Sequence, residues 1–195
     1  MAIKIGLTGG IGSGKSVVSH LLATMGIPVY IADDEAKRIT SSDITIRQQL
    51  VHLLGEEIFS NGELNKKLLA AYLFSDPENA KIVNGIIHPR VKEDFVRWAS
   101  LNNHYPIVAI ESAILIEAGF EDEVDIIVMV SAPLDLRLKR LALRDSSSSK
   151  EQIKKRIQSQ MDDEEKKSMA NFVIVNDEET PVIPQIIELM NFTSL

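Results

Sequence analysis

Apolar residues come in short unbroken bursts at both ends of the chain and follow helical spacing through its middle. Lys4 to Thr8 reads as a buried strand bounded by glycine. From Lys15 the pattern changes to Val17, Val18, Leu21, Leu22 and Met25, which is helical spacing, and Gly26 stands where a C-terminal cap glycine belongs. Pro28-Val29-Tyr30-Ile31-Ala32 reads as a second short strand. Strand, glycine-rich loop, helix and strand in that order predict the opening of a parallel α/β sheet.

The middle, from about Asp34 to Asn103, shows helical stripes and no convincing strand. Ile46, Leu50, Val51 and Leu54 form one stripe, closed by Gly55. Asn65 is placed to cap a helix through Phe74, and Asp76-Pro77 reads as a cap followed by a first-turn proline. Val91, Phe95 and Trp98 form a later stripe, separated by His88-Pro89, where a proline could break the helix. A helical insertion between two strands is the predicted arrangement. The sheet pattern resumes at Pro106–Ile110 and Asp125–Val130, followed by a helix from about Pro133 to Arg144. Asp145-Ser146-Ser147-Ser148-Ser149 is linker-like, and Ser149 with Gln152 has capping-box spacing. The charged run Asp162 to Lys167 reads as a solvated helix, Phe172–Val175 as a last strand, and Thr180-Pro181 as the start of a terminal helix.

Composition narrows the class. The chain has 195 residues, is 45% hydrophobic, and carries a net charge of −7, which disfavours a nucleic-acid backbone as partner. No apolar run is long enough to span a membrane, and no signal-peptide pattern stands at Met1-Ala2-Ile3-Lys4-Ile5, so a cytoplasmic location is expected. The absence of cysteine removes disulfides, thiolate metal sites and a cysteine nucleophile.

The chemistry begins at Gly9-Gly10-Ile11-Gly12-Ser13-Gly14-Lys15-Ser16, which fills the pattern Gly-x-x-x-x-Gly-Lys-Ser. Phosphate oxygens need several N–H donors at close range, and glycines let the backbone bend round an anion. In that pattern Lys15 reaches the β- and γ-oxygens and the Ser16 hydroxyl ligates Mg²⁺. Asp33 lies just beyond the second strand, where a carboxylate could take a proton from an attacking hydroxyl or simply cap the next helix. Arg137, Arg140 and Arg144 share one helical face; Arg140 and Arg144 are favoured for stabilising phosphoryl charge, and Lys139, Lys154 and Lys155 for a solvated face. Glu111, at a strand end, is either a carboxylate for Mg²⁺ through water or an ordinary strand-end acid. His20, His52 and His104 have no metal-ligand spacing.

These residues, in this order, resemble the dephospho-coenzyme A kinase family over nearly the whole chain. Leu7–Ser16 is similar to that family's phosphate loop, Ala32-Asp33 with Ala36 to its strand-two motif, and Ile87-His88-Pro89 to its His-Pro pair. Ile114-Leu115-Ile116-Glu117, Leu138-Lys139-Arg140, Arg144-Asp145, Arg156, Gln160, Ala170 and Val173-Ile174-x-Asn176 match its later segments. The chain departs from the pattern at Val17, Ile31, Lys37, Ala113 and Asn171. The resemblance implies a phosphate-loop kinase fold: a parallel-sheet nucleotide core of residues 1–33, 105–140 and 170–195, a helical dephospho-CoA domain of 34–104, and a small helical lid of 141–169. It further implies transfer of the γ-phosphoryl group of ATP to the ribose 3′-hydroxyl of dephospho-CoA, with Mg²⁺. Catalysis is then expected from Asp33, Lys15 and Arg140. Nucleotide contacts are expected from Gly10, Gly12, Ser13, Gly14, Lys15, Ser16, Val17 and Arg144, and substrate contacts from Asp33, His88, Lys37 and Arg38. The competing enzyme is a nucleoside-monophosphate-type kinase. A guanine-nucleotide switch needs Asn-Lys-x-Asp, and Asn65-Lys66-Lys67-Leu68 lacks the aspartate.

Overall fold

The computed structural model describes residues 2–60, 62–145 and 149–193. Among the described residues the strands are β1 Ile3–Thr8, β2 Val29–Ile31, β3 Phe59–Ser60, β4 Glu63–Leu64, β5 Ile107–Glu111, β6 Ile126–Ser131 and β7 Phe172–Val175. Nine α-helices accompany them among the described residues: α1 Lys15–Thr24, α2 Ala32–Ser42, α3 Ile44–Leu54, α4 Lys66–Ser75, α5 Pro77–Leu101, α6 Leu134–Arg144, α7 Lys150–Gln158, α8 Asp163–Met169 and α9 Val182–Thr193. The chain divides into a sheet unit, residues 1–31 and 98–195, and a helical unit, residues 32–97.

In the sheet unit five strands lie in the order β2-β5-β1-β6-β7, and every pairing is parallel. Parallel strands buried on both faces read as continuous apolar runs, which is why the bursts were legible. Ile5, Leu7, Val18, Leu22, Ala109, Val128, Val130, Ile174, Ile186 and Leu189 form one buried cluster from strands β1, β5, β6 and β7 and helices α1 and α9. Tyr30 meets Trp98 edge to face, with ring centroids 5.5 Å apart. Because all five strands run the same way, the loops after Thr8, Glu111, Ser131 and Val175 leave from one edge of the sheet. The register sets Ile31 beside Glu111 and Glu111 beside Leu7.

In the helical unit Asp43 caps α3 by accepting from the Thr45 and Ile46 amides, and Asn65 caps α4 by accepting from Leu68. Ile39, Ile46, Leu50, Ile58, Val83, Val91 and Phe95 are its most deeply buried apolar side chains. Two expectations fail here. Phe59–Ser60 and Glu63–Leu64 pair antiparallel, so the insertion holds a small hairpin; two-residue strands are too short to show alternation. Pro89 does not break the helix, because α5 runs from Pro77 to Leu101 with Pro89 inside it. The missing N–H and the ring clash cost about 3 kcal/mol, offset by burial of Val83 before the proline and Val91 and Phe95 after it. The predicted linker at Ser146–Ser148 lies outside the described residues, but the capping box it leads into is present. The Ser149 hydroxyl accepts from the Gln152 amide, and the Gln152 side chain accepts from the Ser149 amide.

Candidate phosphate-binding site

β1 ends at Thr8 and the chain turns through Gly9–Gly14 into α1. Gly14 is the N-cap of α1 at φ 94°, and a β-carbon there would fall 2.0 Å from Asn176 Nδ2, so only glycine fits. Gly10 is required by space instead: a β-carbon would meet the Arg137 guanidinium at 2.1 Å. The Ser13 amide donates to the Gly10 carbonyl, closing the turn. The Gly12 and Gly14 amides donate to no protein acceptor among the described residues. Lys15 is 8% exposed, and its Nζ donates to the Gly9 carbonyl at 2.8 Å and the Gly10 carbonyl at 3.5 Å. The result is a loop with unclaimed amides, a buried ammonium and a helix N-terminus, which is the chemistry of a phosphate cradle.

Glu111 ends β5 and sets its carboxylate over α1. Its Oε2 accepts from Ser19 Oγ at 2.5 Å, and its Oε1 lies 3.4 Å from Ser16 Oγ. Ser19 is 5% exposed and carried no sequence signal. One hydroxyl and one carboxylate are hard oxygen donors, a set suited to Mg²⁺, which keeps several waters and phosphate oxygens of its own. No group of three or more acidic or histidine side chains among the described residues is arranged to hold a metal ion by itself.

The arginine helix divides its labour differently from its sequence pattern. Arg137 was only one member of a basic face, yet it is 2% exposed. Its Nε donates to the Ile11 carbonyl at 2.9 Å, and its guanidinium pairs with Asp163. Arg140 Nη1 reaches the Gly12 and Ser13 carbonyls at 3.5 and 3.3 Å, while Nη2 reaches the Asn176 carbonyl at 3.2 Å and Glu178 Oε1 at 3.5 Å. Asn176 Nδ2 donates to the Ser13 carbonyl at 2.8 Å. Arg144 is exposed at the end of α6. Val17, on α1, is 54% exposed.

The run Asp162–Lys167 is not simply solvated. Lys166 is fully buried, donates to the Ala113 carbonyl at 2.7 Å and pairs with Glu117 at 2.8 Å; Glu117 also accepts from the Met161 amide at 3.0 Å. A lysine in a run of charged residues gives no hint in sequence that a carbonyl and a glutamate await it.

Other expected residues lie in the helical unit. Asp33 stands in the first turn of α2, not at its N-cap, and is exposed. Lys37 pairs with Asp34 at 2.8 Å, and that hydrogen bond raises its pKa. Arg38 pairs with Asp94 at 2.7 Å and with Glu35. His88, on α5, is half-buried, and burial lowers its pKa from the ordinary 6.5. Sequence reasoning missed Arg90, whose Nε and Nη2 both donate to Asp43 Oδ2, at 3.1 and 2.9 Å. Burial alone would raise the Asp43 pKa, but the bonds from Arg90 and the α3 amides bring it below its ordinary value.

The described helices include none long and apolar enough to cross a membrane. The dephospho-CoA kinase family model matches residues 3–181. A dephospho-CoA kinase of Bacteroides fragilis is 62% identical over 192 residues, covering 98% of this chain and 93% of the relative. One from Porphyromonas gingivalis is 40% identical, covering 96% and 93%. A solved Thermus thermophilus protein superposes with a TM-score of 0.79 at 33% identity, covering 98% of this chain and 95% of that one.

Proposed function

From the premise that the chain belongs to the dephospho-CoA kinase family, we propose how its residues divide the family's work. The reaction is the final step of coenzyme A synthesis: the 3′-hydroxyl of dephospho-CoA attacks the γ-phosphorus of ATP. The bond to the β–γ bridging oxygen breaks, and ADP and coenzyme A are the products. The observation that carries the assignment of residues is the loop after β1, with a buried Lys15 and unclaimed Gly12 and Gly14 amides.

Gly10, Gly12, Ser13, Gly14, Lys15 and Ser16 hold the triphosphate, the Gly12 and Gly14 amides and the positive end of α1 facing its oxygens, with Val17 alongside. Lys15 exchanges the Gly9 and Gly10 carbonyls for β- and γ-oxygens and stabilises the charge that grows on them. Ser16 and Glu111 are the groups that would hold Mg²⁺, with Ser19 fixing the carboxylate. An ion held there would supply positive charge against the phosphate oxygens. Asp33 is the general base that accepts the 3′-hydroxyl proton; its exposed carboxylate, two residues beyond β2, supports that reading. Arg140 stabilises the transferring group from the loop's carbonyl side, and Arg144 steadies the nucleotide. His88, Lys37 and Arg38 bind dephospho-CoA, the two cations trading carboxylate partners for its phosphates. Residues 141–169 act as a lid that excludes water, a competing nucleophile. A cytoplasmic location and a partner list limited to small molecules fit this chemistry.

The test is ADP release across dephospho-CoA, AMP, UMP, shikimate and gluconate. Turnover confined to dephospho-CoA is expected; faster turnover of AMP or UMP refutes the acceptor assignment.

A further inference from the structure

The loop residue Ile11 has no side-chain chemistry, yet both ends of its peptide are held by distant side chains. Its amide donates to Gln160 Oε1 at 2.8 Å, across 149 residues of sequence. Its carbonyl accepts from Arg137 Nε at 2.9 Å. An N–H donor requires the oxygen of the Gln160 amide to face it, so the orientation of the side chain is settled by its partner. The neighbouring loop amides differ. Among the described residues no protein acceptor claims those of Gly12 and Gly14, whereas that of Ile11 is claimed.

Gln160 comes two residues after α7, and Arg137 lies on α6 before it. Arg137 also pairs with Asp163, three residues beyond Gln160. Arg137 before α7 and Gln160 after it therefore converge on one loop peptide. Glu117 fastens the far side of this junction by accepting from the Met161 amide and pairing with the buried Lys166.

We propose that Gln160 is a positioning residue for the phosphoryl donor: by accepting from the Ile11 amide it sets the crest of the phosphate loop, so that the neighbouring amides point at ATP before it arrives. A loop preorganised in this way pays less ordering entropy on binding. Without the acceptor the Ile11 amide is left unsatisfied, and the crest samples other peptide orientations. The effect belongs to ATP and not to dephospho-CoA. The inference rests on residues 9–16 being the ATP site, so Lys15→Ala is measured beside it.

The experiment compares Gln160→Met with the wild type. Methionine keeps length and bulk but offers only a weak sulfur acceptor. KM for ATP should rise about five- to tenfold, with KM for dephospho-CoA unchanged and kcat within about twofold. Hydrogen exchange at the Ile11 amide, followed by NMR, should accelerate by a similar factor while core amides of β1 and β5 hold their protection. An unchanged ATP KM and an unchanged Ile11 exchange rate, with Lys15→Ala inactive, overturn the role of Gln160 and leave the loop assignment standing. Equal losses in both KM values and kcat, with faster exchange throughout the sheet, also overturn it, because the residue is then a fold support. Ordinary turnover of Lys15→Ala overturns the loop assignment itself.

Discussion

Replacing Arg137 by Met tests whether the phosphate loop is braced from behind. The side chain is 3% exposed, donates to the Ile11 carbonyl at 2.9 Å and pairs with Asp163. A charged donor on a half-buried carbonyl contributes about 1.5–3 kcal/mol at most. Breaking a fully buried ion pair would cost about 3–5 kcal/mol, but Asp163 is 37% exposed, so water recovers most of that. The exposed half is worth about 1 kcal/mol at most. Methionine retains much of the packing. The sum is about 3 kcal/mol, and in a chain of this size that lowers Tm by about 6–12 °C. The Ile11 carbonyl loses its anchor as well, so KM for ATP should rise about five- to tenfold. Arg137→Lys should fall between, since a single ammonium cannot serve both Ile11 and Asp163. Thermal melts with and without ATP, together with steady-state kinetics, measure both effects. If Arg137→Met melts within about 1 °C of the wild type and its ATP KM is unchanged, Arg137 is not a brace and the buried guanidinium has been misread.

Asp33→Asn should bind both substrates normally and lose about 10²–10⁴-fold in kcat; a loss under about threefold, with chemistry rate-limiting, would remove Asp33 as the base. Arg140→Lys should lower kcat more than it weakens dephospho-CoA, because an ammonium cannot span the Gly12, Ser13 and Asn176 carbonyls, and Arg140→Ala should lower it further. Behaviour of Arg140→Ala no different from that of the exposed controls Lys154→Ala and Lys155→Ala would contradict this. His88 gives a stability prediction with a definite sign. Its folded pKa lies below the ordinary 6.5, so the unfolded chain binds the proton more readily. Its contribution is complete above about pH 6.5 and is lost as the pH falls through the lowered folded value. Melts of wild type and His88→Gln between about pH 5 and pH 8 should diverge at the acid end; parallel curves would rule this out.

The chain's local patterns determined the class of molecule. Short apolar runs at Ile5–Leu7, Ile107–Ile110 and Ile126–Val130, bounded by turn signals, fit strands buried on both faces, and parallel strands need both faces covered. The glycine-rich loop between a strand and a helix announced phosphate binding, since its spacing is dictated by backbone bending over a few residues. Caps at Asn65 and Ser149 were legible for the same reason: a cap bonds three residues away. What the sequence could not carry were partners chosen at long range. The 3.6-residue period put Arg137 and Arg140 on one face, but not which would be buried under Gly10 and which would reach Asn176. Ser19 looked like any helical serine until Glu111 came to lie on it, and Lys166 looked solvated because it stands in a run of charged residues. Pro89 was read by its intrinsic cost, about 3 kcal/mol, and buried side chains on either side of it kept the helix intact. For Arg137, Arg140, Ser19 and Lys166 the deciding partner was distant in sequence and was brought close by the tertiary fold.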